Sequence, residues 1–250
     1  MNTSRVSPFE AAREIWRERY AGACVIFLAG SVMRGDATPT SDLDIVVVFE
    51  KLADAHRESF TSGGWPVEAF VHHRESLRHF FEVERKRGLP SLLRMVIEGA
   101  EVPEASEFSA ELKREASEVY EAGPQAFDEN EMRLRRYRLT DWVDDIRFPR
   151  SDEELVASGA WLYKDTADFF FRSRGLWSAH SKTIPRRMRE TDSEFASKFL
   201  AAFDALFTEK RGAPAIALVE EMLAPFGGTL FDGFRMDSAL REKLQVTSDE

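Results

Sequence analysis

Asp42 and Asp44 stand one residue apart in Ser41-Asp42-Leu43-Asp44, twelve residues after a Gly30-Ser31 pair, and Glu68 follows in a later apolar segment. In an extended chain, alternate residues face the same side, so Asp42 and Asp44 point together while Leu43 points away. Two carboxylates so close repel each other and raise a carboxyl pKa unless a cation lies between them. A divalent metal resolves that conflict. Gly30 permits a close backbone approach, Ser31 offers a hydroxyl beside its own N–H, and Gly35 permits a second turn, so a phosphate oxygen can be cradled ahead of the acids. Phosphate grip plus metal carboxylates is what phosphoryl chemistry on a nucleoside triphosphate requires.

These side chains need strands to hold them. Ala23 to Ala29 is an unbroken apolar run bounded by glycines and reads as a buried strand, with Cys24 inside it as a core thiol. After a turn-forming stretch from Asp36 to Ser41, Asp42 to Phe49 reads as a second strand. Trp65 to His73 supplies a third: Val67, Ala69 and Val71 share one face, and Glu68, Phe70 and His72 the other. An isolated acid in such a segment is expensive without a role. The sheet is expected to end there. Pro8 to Tyr20 reads as a capped amphipathic helix, Lys51 to Phe60 as a short helix, Gly63-Gly64 as a turn, and Glu75 to Arg87 and Pro90 to Ile97 as helices.

Taken together, Gly30-Ser31, Arg34-Gly35, Ser41-Asp42-Leu43-Asp44 and a strand acid at Glu68 resemble the signature of the DNA polymerase beta-like nucleotidyltransferase superfamily. The branch they resemble holds the aminoglycoside and lincosamide adenylyltransferases and the minimal nucleotidyltransferases. The match covers about the first hundred residues. The resemblance implies that Ser31 contacts the terminal phosphates, that Asp42 and Asp44 bind two magnesium ions, and that Glu68 completes the site as metal ligand or general base. Gly30, Ser31, Arg34 and Ser41 are the nucleotide-binding candidates of this half; Arg34 either reaches a phosphate or is a solvated turn residue, Asp36 only shapes the turn, and His72 and His73 read as structural.

From about residue 105 the pattern turns helical, with segments near 106–121, 128–147, 152–174, 192–209 and 213–224, and a polar tail over Val246 to Glu250. The expected fold class is α+β: a small mixed sheet with flanking helices over residues 1–105, then an all-helical bundle over 106–250 that helps bind the acceptor. Candidates in this half are Lys182, in a short segment that loosely resembles a triphosphate-reaching loop of related enzymes, and Lys164 as a cross-domain phosphate contact, the alternative being an ion pair with Asp165 or Asp168. Asp141, Asp144 and Asp145 beside Trp142 form either a solvated helix face or a site for a cationic acceptor. Trp161, Tyr163 and Phe169 to Phe171 read as bundle core or a dimer face.

The formal net charge of −10 falls mainly in the second half and argues against a polymerase or RNA-modifying enzyme, which needs a basic groove. One cysteine excludes an internal disulfide and fits a reducing compartment. The longest apolar stretch falls well short of the roughly 20 residues of a membrane helix, and the expected location is the cytoplasm. The expected reaction is magnesium-dependent transfer of a nucleoside monophosphate, AMP from ATP, to a hydroxyl of a small molecule such as an aminoglycoside-like antibiotic, with release of pyrophosphate. The alternatives are transfer to a protein hydroxyl and a nucleotide-binding regulatory module without catalysis.

Overall fold

Ser7 and Glu10 cap the first helix reciprocally: Glu10 N donates to Ser7 Oγ at 3.3 Å and Ser7 N to Glu10 Oε2 at 3.0 Å, with Pro8 at the first helical position. This helix is α1 (Pro8–Glu18) in the computed structural model, which describes residues 5–237. The strands are β1 (Val25–Ala29), β2 (Leu43–Phe49), β3 (His56–Ser62), β4 (Trp65–His73) and β5 (Ala100–Val102). A short helix α2 (Gly30–Met33) joins β1 to the loop before β2, and α3 (Arg74–Arg87), α4 (Ser91–Glu98) and α5 (Glu107–Glu121) flank β5 in sequence. The described residues divide into two compact units, with the division between Gly123 and Pro124.

In the first unit the five strands lie in the order β3-β4-β2-β1-β5. β2 and β4 run parallel and every other neighbouring pair runs antiparallel, so the sheet is mixed and the fold is α+β. β1 is buried along its whole length because both its faces are covered. On one face Ile26, Leu28, Ile45, Val47, Val67, Ala69 and Val71 pack with Ala11, Ala12 and Ile15 of α1. The other face carries Phe27, Val46 and Val48 under α3, α4 and α5, whose Leu77, Phe81, Leu93, Val96 and Leu112 are buried.

Three sequence expectations are corrected here. His56–Ser62 is not a helix but the edge strand β3, joined to β4 by Gly63 and Gly64, both at positive φ. The sheet does not stop at β4, because β5 adds to the free edge of β1, pairing Ile26 with Val102 and Leu28 with Ala100. Cys24 is exposed, one residue before β1, and not part of the core. In addition, the first unit continues through α5: Glu115 takes a guanidinium from both Arg74 and Arg78 of α3, and Arg74 also meets Glu111 at 2.8 Å. That double pairing holds the Glu115 carboxyl at about 2, the Arg78 and Arg74 bonds outweighing burial.

α4 begins without a side-chain cap of its own, at Pro90. Glu84 of α3 takes that role across space, accepting the N–H groups of Leu92 at 2.6 Å and Leu93 at 2.9 Å. Burial pushes its carboxyl up to about 7, against the backbone N–H groups of Leu93, Leu92 and Ser91 that pull it back. Glu84→Ala leaves those donors unmet in a closed environment and is expected to cost about 1–3 kcal/mol. Urea unfolding at pH 8 checks this; a loss below about half a kcal/mol means that water satisfies the helix end equally well.

The second unit is helical: α6 (Glu129–Arg147), α7 (Asp152–Arg172), α8 (Ile184–Thr191), α9 (Ser193–Glu209) and α10 (Ala213–Leu223). Phe169, Phe170 and Phe171 are all buried although they are consecutive in α7, so neighbours enclose this helix on every side at that level. They share a core with Leu139, Val143, Phe199, Phe203 and Val219. The expected tail Val246–Glu250 lies outside the described residues.

Candidate active site

The register of three strands assembles the acids. Ala29 of β1 lies opposite Asp44 of β2, and Asp44 lies opposite Glu68 of β4. Opposed residues project to the same face, so Asp44 and Glu68 stand side by side, and Asp42, two residues earlier, joins them. Carboxylate oxygens of Asp42, Asp44 and Glu68 all lie within 4.8 Å of one another, and all three residues are half-buried. Such an arrangement suits a hard divalent cation, which takes oxygen ligands.

Its electrostatics fit the same occupant. The Asp44 carboxyl is pushed from its ordinary 3.8 up to about 6, first by burial and then by the charges of Asp42 and Glu68, while Arg34 and Arg57 pull it down. A cluster that cannot comfortably ionise alone is stabilised by a bound cation. Gly30 completes the fit. At φ +80°, its backbone comes so close to Asp44 that a Cβ would overlap the Asp44 carboxylate, lying 2.9 Å from Cγ and nearer still to Oδ2. The glycine is thus required for space beside the acid as well as for its backbone angle.

The loop between α2 and β2 is closed by its own hydroxyls. Ser31 Oγ donates to Ser41 Oγ at 3.2 Å, Ser41 Oγ accepts the Thr38 N–H at 2.8 Å, and Asp36 N donates to Ser31 O at 2.9 Å. Ser41 is buried, so its hydroxyl serves the loop, whereas Ser31 is half-buried on α2. Arg34, at the end of α2, lies 3.8 Å from Glu98 of α4 and keeps a positive field on Asp44. His72 is buried on the same face, with its Nδ1 3.2 Å from Ser76 Oγ and its ring edge against Phe80; burial holds it neutral, with a pKa of about 4. His73 precedes α3, and Ser76 Oγ accepts its backbone N–H at 3.0 Å.

Arg57 and Ser59 of β3 also face this cluster and were missed in the sequence. Ser59 lies opposite Glu68 in the register, and Arg57 Nη2 donates to Glu68 Oε2 at 2.6 Å. Glu68 is therefore not the isolated acid that its own strand suggests. The signal was present: a polar alternating run directly before Gly63-Gly64 and a strand is a hairpin pattern.

Several candidates of the second unit have partners within it. Asp144 lies 3.8 Å from Arg147, and Asp145 Oδ2 accepts from Ser158 Oγ at 3.5 Å. Burial and then Asp145 and Asp144 raise the Asp141 carboxyl. Lys164 is exposed and sits 5.3 Å from the Trp161 ring centre, while Asp165 pairs with Arg138 and Asp168 with Arg135. Trp161 is an exposed residue rather than core, stacked on Trp142 at 6.1 Å. Lys182 is exposed on a 3-10 turn, Ser181–Thr183.

The mixed sheet presents three carboxylates beside a glycine turn, and residues 10–117, which include them, match the family model of the nucleotidyltransferase domain. This match supports the resemblance of the first unit to the DNA polymerase beta-like nucleotidyltransferase superfamily. Among solved structures, a nucleotidyltransferase-like protein from Exiguobacterium sibiricum 255-15 is similar at 17% identity and a TM-score of 0.46, covering 88% of this chain and 75% of that one. No curated protein matches the chain. No described helix is long and apolar enough to cross a membrane.

Proposed function

We propose that the chain is a metal-dependent nucleotidyltransferase that moves AMP from ATP to a hydroxyl of a small molecule. The observation that carries this reading is the convergence of Asp42, Asp44 and Glu68 within 4.8 Å beside Gly30. In the reaction, a bond forms between the acceptor oxygen and the α-phosphorus, the bond from that phosphorus to the β-phosphate bridging oxygen breaks, and pyrophosphate leaves.

Magnesium ions, when bound, supply charge that stabilises both the attacking and the leaving oxygens of an in-line displacement. Asp42 and Asp44 are the residues that hold them, with Glu68 as third ligand or as the group that takes the hydroxyl proton. Ser31 grips the terminal phosphates from α2, Arg34 adds positive charge, and Gly30 keeps the turn close to Asp44. Lys182 is kept in the same proposal as a candidate phosphate contact, and the acceptor is a hydroxyl-bearing small molecule. The chain's net charge of −10 favours a cationic acceptor of the aminoglycoside kind and a role in antibiotic resistance, and disfavours a nucleic acid.

Pyrophosphate release with magnesium, measured for each nucleoside triphosphate against aminoglycosides, lincosamides and simple polyols, tests the reading. Release with ATP and a cationic polyol supports it. ATP binding without release across the whole panel refutes catalysis on small molecules, and labelling of protein in a lysate would move the acceptor to a protein hydroxyl.

A further inference from the structure

Arg57 reaches Glu68 from the edge strand β3, where its side chain remains 57% exposed. Its Nη2 donates to Glu68 Oε2 at 2.6 Å, so a lone pair that a cation would need is already occupied. The guanidinium also lies 4.9 Å from the ring centre of Phe70, two residues along β4 on the same face as Glu68. An arginine held over an aromatic face keeps a favourable contact when its carboxylate is withdrawn. Arg34, the other arginine whose charge acts on Asp44, is directed toward Glu98 at 3.8 Å. Three carboxylates with one arginine on Glu68 form a partly neutralised cluster. A dication entering among them makes that arginine surplus and repels it.

We propose that Arg57 is a built-in counter-cation that competes with the divalent metal for Glu68 and thereby sets how tightly the cluster holds metal. This rests on the metal-site reading above. Without metal, Arg57 occupies Glu68 Oε2 and limits repulsion among the acids. With metal, the carboxylate is released to the ion and the guanidinium stays over Phe70. Arg57 is thus a positioning residue: it acts on the site through Glu68.

The test titrates Mn2+ into the nucleotide-free protein and counts free ion by electron paramagnetic resonance. Arg57→Gln is expected to bind Mn2+ roughly two- to fivefold more tightly than the parent, the size of one half-exposed ion pair. Arg57→Lys, which keeps the charge but loses the planar fork, falls between the two. Arg19→Gln removes the same charge from a different pair, with Glu58, and leaves Mn2+ affinity unchanged. Thermal unfolding gives a second readout: Arg57→Gln melts lower than the parent without metal and gains more on adding Mn2+. Equal or weaker binding by Arg57→Gln overturns the proposal, as does an equal tightening in Arg19→Gln, which would reduce the effect to net charge. Asp44→Asn separates the two levels of argument. If it binds Mn2+ as well as the parent does, the metal site itself fails; if it loses Mn2+ while Arg57→Gln is unchanged, only the role of Arg57 fails.

Discussion

Asp44→Asn is expected to lower nucleotidyl transfer by about three orders of magnitude or more, the scale of a lost metal ligand or electrostatic stabiliser, while raising the melting temperature of the metal-free protein. The two effects share one cause. Burial, then Asp42 and Glu68, raise the Asp44 carboxyl to about 6 from 3.8. A carboxyl raised on folding binds its proton more tightly in the folded state than in the unfolded one. Stability therefore falls as pH rises from about 4 to 6, and the full cost is present above that window. Two pKa units correspond to about 3 kcal/mol. The asparagine removes the charge but keeps the shape, so above pH 7 the variant should recover on the order of 1–3 kcal/mol, roughly 2–4 °C per kcal/mol for a chain of this size. Metal reverses the order, because the parent gains from binding and the variant does not. Scanning fluorimetry between pH 5 and 8, with and without magnesium, and pyrophosphate release check both halves. Undiminished turnover sinks the metal role, and a lower metal-free melting temperature sinks the repulsion.

How much of this was legible depended on whether the information was local. β1, β2 and β4 are visible in the sequence because burial on one or both faces writes itself as apolar runs or alternation, as in Val67, Ala69 and Val71. β3 carries no apolar run, because an edge strand facing solvent has no such constraint, and only its hairpin pattern before Gly63-Gly64 marks it. His56, Arg57 and Ser59 are exposed, and their polarity allowed a helix. β5 spans Ala100–Val102 and is too short for any period to show. The cluster itself was legible, since Asp42 and Asp44 share a strand and Glu68 needed only a neighbouring one.

The partners of those acids were another matter. Arg57 meets Glu68 only through the β3–β4 register, which pairs Ser59 with Glu68 and Arg57 with Phe70. A sequence read one segment at a time does not contain that register. The same holds for Glu84, whose role as a cap for α4 is fixed by the packing of two helices, and for Trp142, whose Nε1 donates to Asp165 of α7 at 3.1 Å. In the helical unit, apolar spacing located α6, α7, α9 and α10. It left open which charges are already paired, and Asp144, Asp165 and Asp168 prove to have arginine partners. Net charge therefore bears on the class of acceptor and does not locate a site for it among these acids.

Gly30→Ala is expected to lower activity by about a hundredfold, although it removes no functional group. Gly30 follows β1 directly, and its position beside Asp44 is set by the pairing of Ala29 with Asp44. A methyl group there would occupy space filled by the Asp44 carboxylate, so either the carboxylate rotates out of the cluster or the strand end separates. The φ of +80° adds strain for any residue with a Cβ, and the two together should lower stability by about 2–4 kcal/mol, combining backbone strain with overpacking. Displacing a metal-binding group by an ångström costs about a hundredfold in rate. Gly35→Ala is the matched control. It also has positive φ, at 75°, but a Cβ there meets nothing within 4 Å. It should therefore lose about 1–2 kcal/mol through backbone strain alone, with turnover within a few fold of the parent. Mn2+ binding separates the two: Gly30→Ala loses it and Gly35→Ala keeps it. Equal losses in both variants would mean that the turn, and not the space beside Asp44, is what the site requires of these glycines.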